Sequence, residues 1–230
     1  MHKVLLLMTF TILTATCGTS DPEQPSSAPS PDPPAQEQPT REAADARPII
    51  LAFGDSLTAG YGVPPGSGYP ERLQRLLDSK GFHYRVVNAG ISGDTTSGGL
   101  SRIHEGLQHK PSIVILELGA NDGLRGLPVD QIRANLDEMI TTFKNAGIVV
   151  LLAGMTLPRN YGADYIAAFE KIFPDLAAKH GVTLIPFFLE GAAGNPRLSL
   201  DDGIHPNEEG YRIITATVFK YLQPLLKPAS

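Results

Sequence analysis

The sequence predicts an α/β protein: a five-stranded parallel sheet between two layers of helices, a three-layer α/β/α sandwich. Two observations carry that prediction. Five short apolar runs rich in β-branched residues lack polar alternation, as strands covered on both faces require. Between them lie segments with apolar residues at helical spacing. A third observation places function. Polar, Gly-rich stretches follow several of the runs, and sheets of this kind collect their chemistry at the carboxyl ends of their strands.

The folded part does not begin at residue 1. His2 and Lys3 precede the apolar stretch "VLLLMTFTILTA" at 4–15, too short to span a bilayer comfortably. A charged start, a short apolar core and small residues afterwards describe a secretory signal over 1–17, so export to the periplasm or cell envelope is expected. Cys17 stands where a lipoprotein signal places its lipidated cysteine, and membrane anchoring through Cys17 is expected. Thr16 fills the usual Gly or Ala position, and an ordinary signal peptide that contains a cysteine is the alternative. Residues 18–47 are dominated by Pro, Ser, Gln and acidic side chains. Such a segment buries too little apolar surface to offset its ordering entropy, and it reads as an extended tether. The folded domain is then expected over 48–230.

From Pro48 onward, strands are expected at 49–53, 85–89, 113–118, 148–153 and 183–187. The helical candidates are 69–81, 129–147, 163–181 and 207–226. Gly81 and Gly147 suit helix C-caps, and Pro174 is expected to bend or interrupt the third helix. Right-handed crossovers complete the sandwich.

Composition narrows the function. The 230 residues are 42% apolar, enough for a sizeable core, and the net charge is −5. There is no basic footprint for nucleic acid, and the absence of Trp argues against a base-stacking surface. Cys17 alone forms neither an intrachain disulfide framework nor a Cys-based zinc cage. No GxxxxGK[ST] or GxGxxG occurs to bind a nucleotide, and no Gly-x-Ser-x-Gly nucleophile elbow. No HExxH occurs either, and no metal or cofactor is expected.

Four segments carry chemistry. In "GDSL" (54–57), Gly54 is expected to take special backbone angles that project Ser56 from the end of the first strand. Gly-Asp-Ser is also an ordinary turn. In "VNAGISGDTT" (87–96), Gly90 and Gly93 permit a tight turn with an uncovered amide, and Asp94 or Thr95 is a cap for a following helix. The amide of Gly93 is an oxyanion donor or part of a plain βα loop. In "LELGANDGLRG" (116–126), Asn121 is a neutral donor, or a turn residue. In "LDDGIHPNEEGY" (200–211), Asp202 and His205 are three positions apart. In a tight loop that spacing lets the carboxylate take one imidazole nitrogen while the other faces outward; a surface pair beside a helix start is the plain alternative.

In order, these blocks resemble those of the SGNH (GDSL) hydrolases over about residues 48–226. "NDGLRG", "LPRNYG" (157–162) and "DDGIHPN" are similar to the bacterial acyl-CoA thioesterase I/lysophospholipase L1/arylesterase group. The resemblance implies a flavodoxin-like sandwich and hydrolysis of acyl esters or thioesters through an acyl-serine. It implies Ser56 as nucleophile, His205 as base and Asp202 as the acid that orients it. It gives the oxyanion hole to the amides of Ser56 and Gly93 and the side chain of Asn121. Leu124, Leu127, Leu157 and Pro158 follow strands three and four and are candidates for an apolar acyl groove, or for ordinary loop packing. The expected partner is a small-molecule or lipid acyl ester, and the protein is expected to be a monomer. Two rival readings stay open: an O-acetyl esterase acting on envelope carbohydrate, and a binding protein that kept the sandwich without turnover. His83, His104, His109 and His180 are expected at the surface.

Overall fold

A computed structural model describes residues 45–227. The expected leader, Cys17 and most of the expected tether lie outside the described residues. The sheet has five parallel strands in the order β2-β1-β3-β4-β5. They are β1 (Ile49–Gly54), β2 (Arg85–Gly90), β3 (Ile113–Glu117), β4 (Val149–Ala153) and β5 (Thr183–Ile185). The helices are α1 (Ser56–Ala59), α2 (Tyr69–Ser79), α3 (Thr96–Ser101), α4 (Ile103–Gln108), α5 (Ala120–Leu124), α6 (Val129–Asn145), α7 (Ala163–His180) and α8 (Glu208–Leu222). The chain leaves β1 in one direction toward β2 and later returns the other way through β3, β4 and β5. With right-handed crossovers that reversal puts α2 on one face and α6 and α7 on the other. Packing agrees: α8 lies on α2, while α3 and α7 lie on α6.

The apolar periods explain the layers. β1 and β3 are central, and Ile50–Phe53 and Ile113–Leu116 are buried on both faces. α6 turns Ile132, Leu136, Met139, Ile140 and Phe143 inward. Each such side chain stabilises the fold by roughly 1.5–3 kcal/mol. The edge strand β2 departs from the expectation: its residues are half-buried or exposed, because only β1 pairs with it. β5 stops at Ile185, two residues short of the expected end. Pro186 has no N–H with which to extend the ladder.

Pro174 does not interrupt its helix. α7 runs unbroken from Ala163 to His180, with Pro174 exposed between the buried Phe173 and Leu176. The lost hydrogen bond falls on the solvent side, and the inward faces of both halves hold the helix on the sheet. Three short helices, α1, α3 and α5, open immediately after or just beyond the carboxyl ends of β1, β2 and β3. They bring the chemistry-bearing segments to one edge. The reversal between β1 and β3 is the topological switch point, where a crevice forms in open sheets.

Candidate active site

Ser56 is the first residue of α1, directly behind β1. Asp55 caps that helix: its Oδ1 accepts the amide of Leu57 at 2.9 Å. The sharp exit needs Gly54, but for a different reason than expected. Gly54 has no positive φ. A Cβ there would lie 2.2 Å from Thr58 Oγ1, 2.5 Å from Glu117 Oε2 and 2.6 Å from the Glu117 carbonyl. Close approach, not backbone freedom, dictates the residue.

The Ser56 Oγ lies 2.9 Å from His205 Nε2, and His205 Nδ1 lies 2.6 Å from Asp202 Oδ2. The other Asp202 oxygen accepts the amides of Ile204 and His205, each at 2.9 Å. The bonds donated by the His205 ring and by these amides outweigh the upward push of burial and draw the Asp202 carboxyl down to about 2. An ionised carboxylate only accepts. It therefore fixes the His205 proton on Nδ1 and leaves Nε2 to accept from the Ser56 hydroxyl. The loop is held for this task. Leu200 donates its amide to the His205 carbonyl at 2.8 Å, and Asn207 caps α8 through the amides of Glu209 and Gly210. Tyr61 packs its ring 4.6 Å from that of His205.

Gly93 and Asn121 come to the same edge. Gly93 has φ +82°, a conformation that favours glycine. Its carbonyl accepts Arg125 Nη2 at 3.0 Å. Among the described residues, the amides of Ser56 and Gly93 have no protein acceptor. Asn121 Nδ2 donates to the Asp94 carbonyl at 2.9 Å and to Asp55 Oδ2 at 3.0 Å. Of the two proposed caps, Thr95 serves α3, while Asp94 instead pairs with Arg102.

The Ser56–His205 pair opens into a cleft of about 480 Å³. Leu124, Leu157 and Pro158 line it, joined by Met155, Phe187 and Leu189, which the sequence reading did not single out. Leu127 is not among the lining residues. Its carbonyl accepts the Tyr165 hydroxyl at 2.6 Å. His83, His104 and His109 are exposed as expected. The His180 ring is largely covered instead and pairs with Asp137 at 2.5 Å. Among the described residues no group of three or more His, Cys, Asp or Glu is placed to hold a metal ion.

Two buried acids were also missed. Glu117 and Asp55 are almost wholly buried beneath Ser56. Glu117 Oε2 accepts Thr58 Oγ1 at 2.7 Å and the Asp55 amide at 3.3 Å. Burial, then the neighbouring Asp55 charge, pushes Glu117 well above the usual carboxylate range. Burial also raises Asp55 to about 6. No spacing rule separates Glu117 from the strand that carries it.

A parallel α/β/α sandwich with a Ser–His–Asp hydrogen-bond chain at its switch point is the architecture of a serine acylhydrolase. The GDSL-like Lipase/Acylhydrolase family matches residues 52–213, and the chain belongs to it. It is 43% identical over 178 residues to Esterase TesA of Pseudomonas aeruginosa, covering 77% of this chain and 89% of that protein. It is 42% identical over 184 residues to the Escherichia coli (strain K12) Thioesterase 1/protease 1/lysophospholipase L1, covering 80% and 87%. A crystal structure of TesA superposes with a TM-score of 0.75 at 43% identity, covering 77% of this chain and 99% of that one.

Proposed function

We propose that this carboxylic ester hydrolase works through an acyl-serine on Ser56 and takes acyl esters and thioesters with apolar chains. The observation that carries the reading is the 2.9 Å and 2.6 Å chain from Ser56 through His205 to Asp202, opening on an apolar cleft. His205 Nε2 takes the Ser56 proton as Oγ bonds to the substrate carbonyl carbon. The carbonyl oxygen becomes an oxyanion that accepts from the amides of Ser56 and Gly93 and from Asn121 Nδ2. Each such donor is worth roughly 3 kcal/mol. The carbon–oxygen or carbon–sulfur bond then breaks, and His205 gives its proton to the leaving alcohol or thiol. Water repeats the cycle through His205 and frees the carboxylic acid, leaving Ser56 restored.

Leu124, Met155, Leu157, Phe187 and Leu189 give the cleft an acyl-binding wall, which favours chains longer than acetyl over a carbohydrate O-acetyl group. The relatives named for esterase, thioesterase and lysophospholipase activity support the same range. Among the described residues, no helix is long and apolar enough to cross a membrane. The leader pattern supports export, with a lipidated Cys17 and the 18–47 tether holding the domain near a membrane; mass spectrometry of the mature N-terminus tests this. A p-nitrophenyl ester series tests the substrate. Burial of about 0.8 kcal/mol per methylene predicts kcat/KM rising about fourfold per added CH₂ until the cleft is filled. A flat series, or one falling from acetate, supports the carbohydrate deacetylase instead.

A further inference from the structure

We propose that Tyr61 is a specificity-determining residue: its ring, packed on His205, seats the leaving group and selects esters of planar aromatic alcohols over those of aliphatic ones. The proposal rests on the acyl-serine reading above. Among the described residues, four large apolar side chains stand well exposed: Tyr61, Ile91, Val149 and Ile204. A single exposed apolar residue is ordinary. These are not scattered. Tyr61 follows α1, Ile91 follows β2 and Ile204 precedes His205, so three separate loops bring three of them to the edge that carries Ser56, while Val149 opens β4 at the opposite edge. Tyr61 is 51% exposed, yet its ring centre lies 4.6 Å from that of His205, with the planes tilted by 44°. One side of the ring meets the imidazole and the rest meets solvent. Tyr69, Tyr84, Tyr161 and Tyr165 bond their hydroxyls to protein partners; the Tyr61 hydroxyl does not, among the described residues, so no polar contact accounts for its position.

The backbone holds that ring still. The Tyr61 amide donates to the Ser56 carbonyl at 3.0 Å, as does the Gly60 amide at 3.1 Å, and Gly60 ends α1 at φ +78°. Gly62 sits at φ +75°, and a Cβ there would lie 2.3 Å from Leu200 Cδ1. The loop therefore lies flush against the segment whose Leu200 amide bonds the His205 carbonyl. Tyr61 is fixed to Ser56 on one side and to the His205 loop on the other. The chemistry assigns what it faces. Acylation breaks the ester carbon–oxygen bond, the electron pair goes to the leaving oxygen, and that oxygen takes the proton that His205 Nε2 removed from Ser56. The leaving group must depart beside the imidazole. The acyl chain has the wall of Leu124, Met155, Leu157, Phe187 and Leu189, and Tyr61 does not line that cleft. Tyr61 offers an apolar, planar surface next to the proton donor instead. A phenol or naphthol ring can stack or meet it edge-on with centres roughly 4.5–7 Å apart. An aliphatic leaving group, glycerol included, gains no such ring contact.

Butyryl esters of 2-naphthol, phenol and trifluoroethanol test the role, because they share one acyl group and differ in the leaving group. Their kcat/KM reports acylation. Decay of the butyryl-enzyme reports deacylation, from which the leaving group is already gone. Tyr61→Ala should lower kcat/KM by about 2- to 12-fold for the two aryl esters and by less than about twofold for the trifluoroethyl ester, with deacylation within about twofold of wild type. Tyr61→Phe, which keeps the ring, should keep the aryl preference. Circular dichroism establishes that each variant is folded. Should Tyr61→Ala fail to fold, Tyr61→Leu, which keeps apolar bulk without the ring, takes its place with the same expectation. A ring that served only the imidazolium formed on His205 would act in both half-reactions, so its loss would slow all three esters alike and deacylation with them. That result, an unchanged aryl preference in Tyr61→Ala, or a Tyr61→Phe enzyme as impaired as Tyr61→Ala would overturn the proposal. Ser56→Ala run alongside separates the two levels: retained turnover there overturns the acyl-serine reading, while an inactive Ser56→Ala with a leaving-group series indifferent to Tyr61 overturns only the role of that ring.

Discussion

Replacing Arg102 with Met should loosen the loops that bear the site and cost about 4 kcal/mol of stability. Arg102 sits between α3 and α4 and donates three bonds: Nε to Asp94 Oδ2 at 2.7 Å, Nη1 to the Ala89 carbonyl at 2.9 Å and Nη2 to the Gly54 carbonyl at 2.9 Å. Its guanidinium lies 3.9 Å from the centre of the Phe53 ring. The ends of β1 and β2 and the Gly93 loop therefore meet on one side chain. Only 11% of the Arg102 side chain and 10% of that of Asp94 is exposed, so solvent screens the pair little. Methionine keeps the apolar stem over Phe53 and removes every donor. Breaking a buried pair by deleting one partner costs about 3–5 kcal/mol, and the two freed carbonyls add to that unless water reaches them. For a domain of this size, 4 kcal/mol lowers Tm by roughly 8–16 °C. Differential scanning calorimetry of Arg102→Met, Asp94→Asn and the double variant measures it. The double variant should recover about 2 kcal/mol relative to the sum of the singles, because no unpaired charge remains. The Asp94 carbonyl also holds Asn121, so kcat should fall with stability. A loss under about 1 kcal/mol, or strictly additive singles, would refute the clamp.

Other substitutions probe neighbouring contacts. Gly54→Ala meets Glu117 backbone at 2.6 Å as well as two side-chain oxygens, so it should cost about 3 kcal/mol or prevent folding, measured by urea denaturation. A folded variant of unchanged stability would contradict the close-approach argument. Asp202→Asn should lower kcat by up to about ten-thousandfold by favouring the wrong His205 tautomer. The exposed Asp201→Asn, one position away, should leave turnover unchanged; the reverse order would refute the assignment of the orienting acid. The buried acids predict a pH trend. Asp55 and Glu117 have folded-state pKa values above their ordinary ones, so the native state binds more protons than the unfolded chain. Their contribution to stability therefore falls as pH rises, from about 4 through about 6 for Asp55 and further for Glu117, by up to about 1.4 kcal/mol per pH unit per group. Glu117→Gln should flatten the decline of Tm between pH 5 and pH 8, and identical slopes would count against a protonated Glu117.

The sheet was legible because its strands are buried on both faces, and burial leaves unbroken apolar runs such as "IILAF" and "IVILEL". The serine, histidine and aspartate were legible because the order of their blocks along the chain is distinctive. What escaped the sequence depends on contacts between distant segments. α3 carries Gly98 and Gly99, which weaken helical propensity, and Gly99 is required by a close approach: a Cβ there would lie 2.3 Å from a Leu118 methyl. Glu117 looks like one more strand residue until Thr58 and Asp55 are folded against it. Two of the Arg102 partners are backbone carbonyls, which leave no mark in a sequence. Leu127 is apolar and follows a strand, as cleft residues do, yet it does not line the cleft, and a sequence pattern does not separate the two cases.

If Ser56 carries the acyl group, the acyl-enzyme can be trapped and located. The enzyme would be mixed with a p-nitrophenyl ester, quenched in acid within the first turnovers and digested, and its peptides mapped by mass spectrometry. One added acyl mass is expected, on Ser56, formed with a burst of p-nitrophenol and absent from Ser56→Ala. An acyl group on any other residue, or a Ser56→Ala enzyme that still turns over the ester at the wild-type rate, would contradict it.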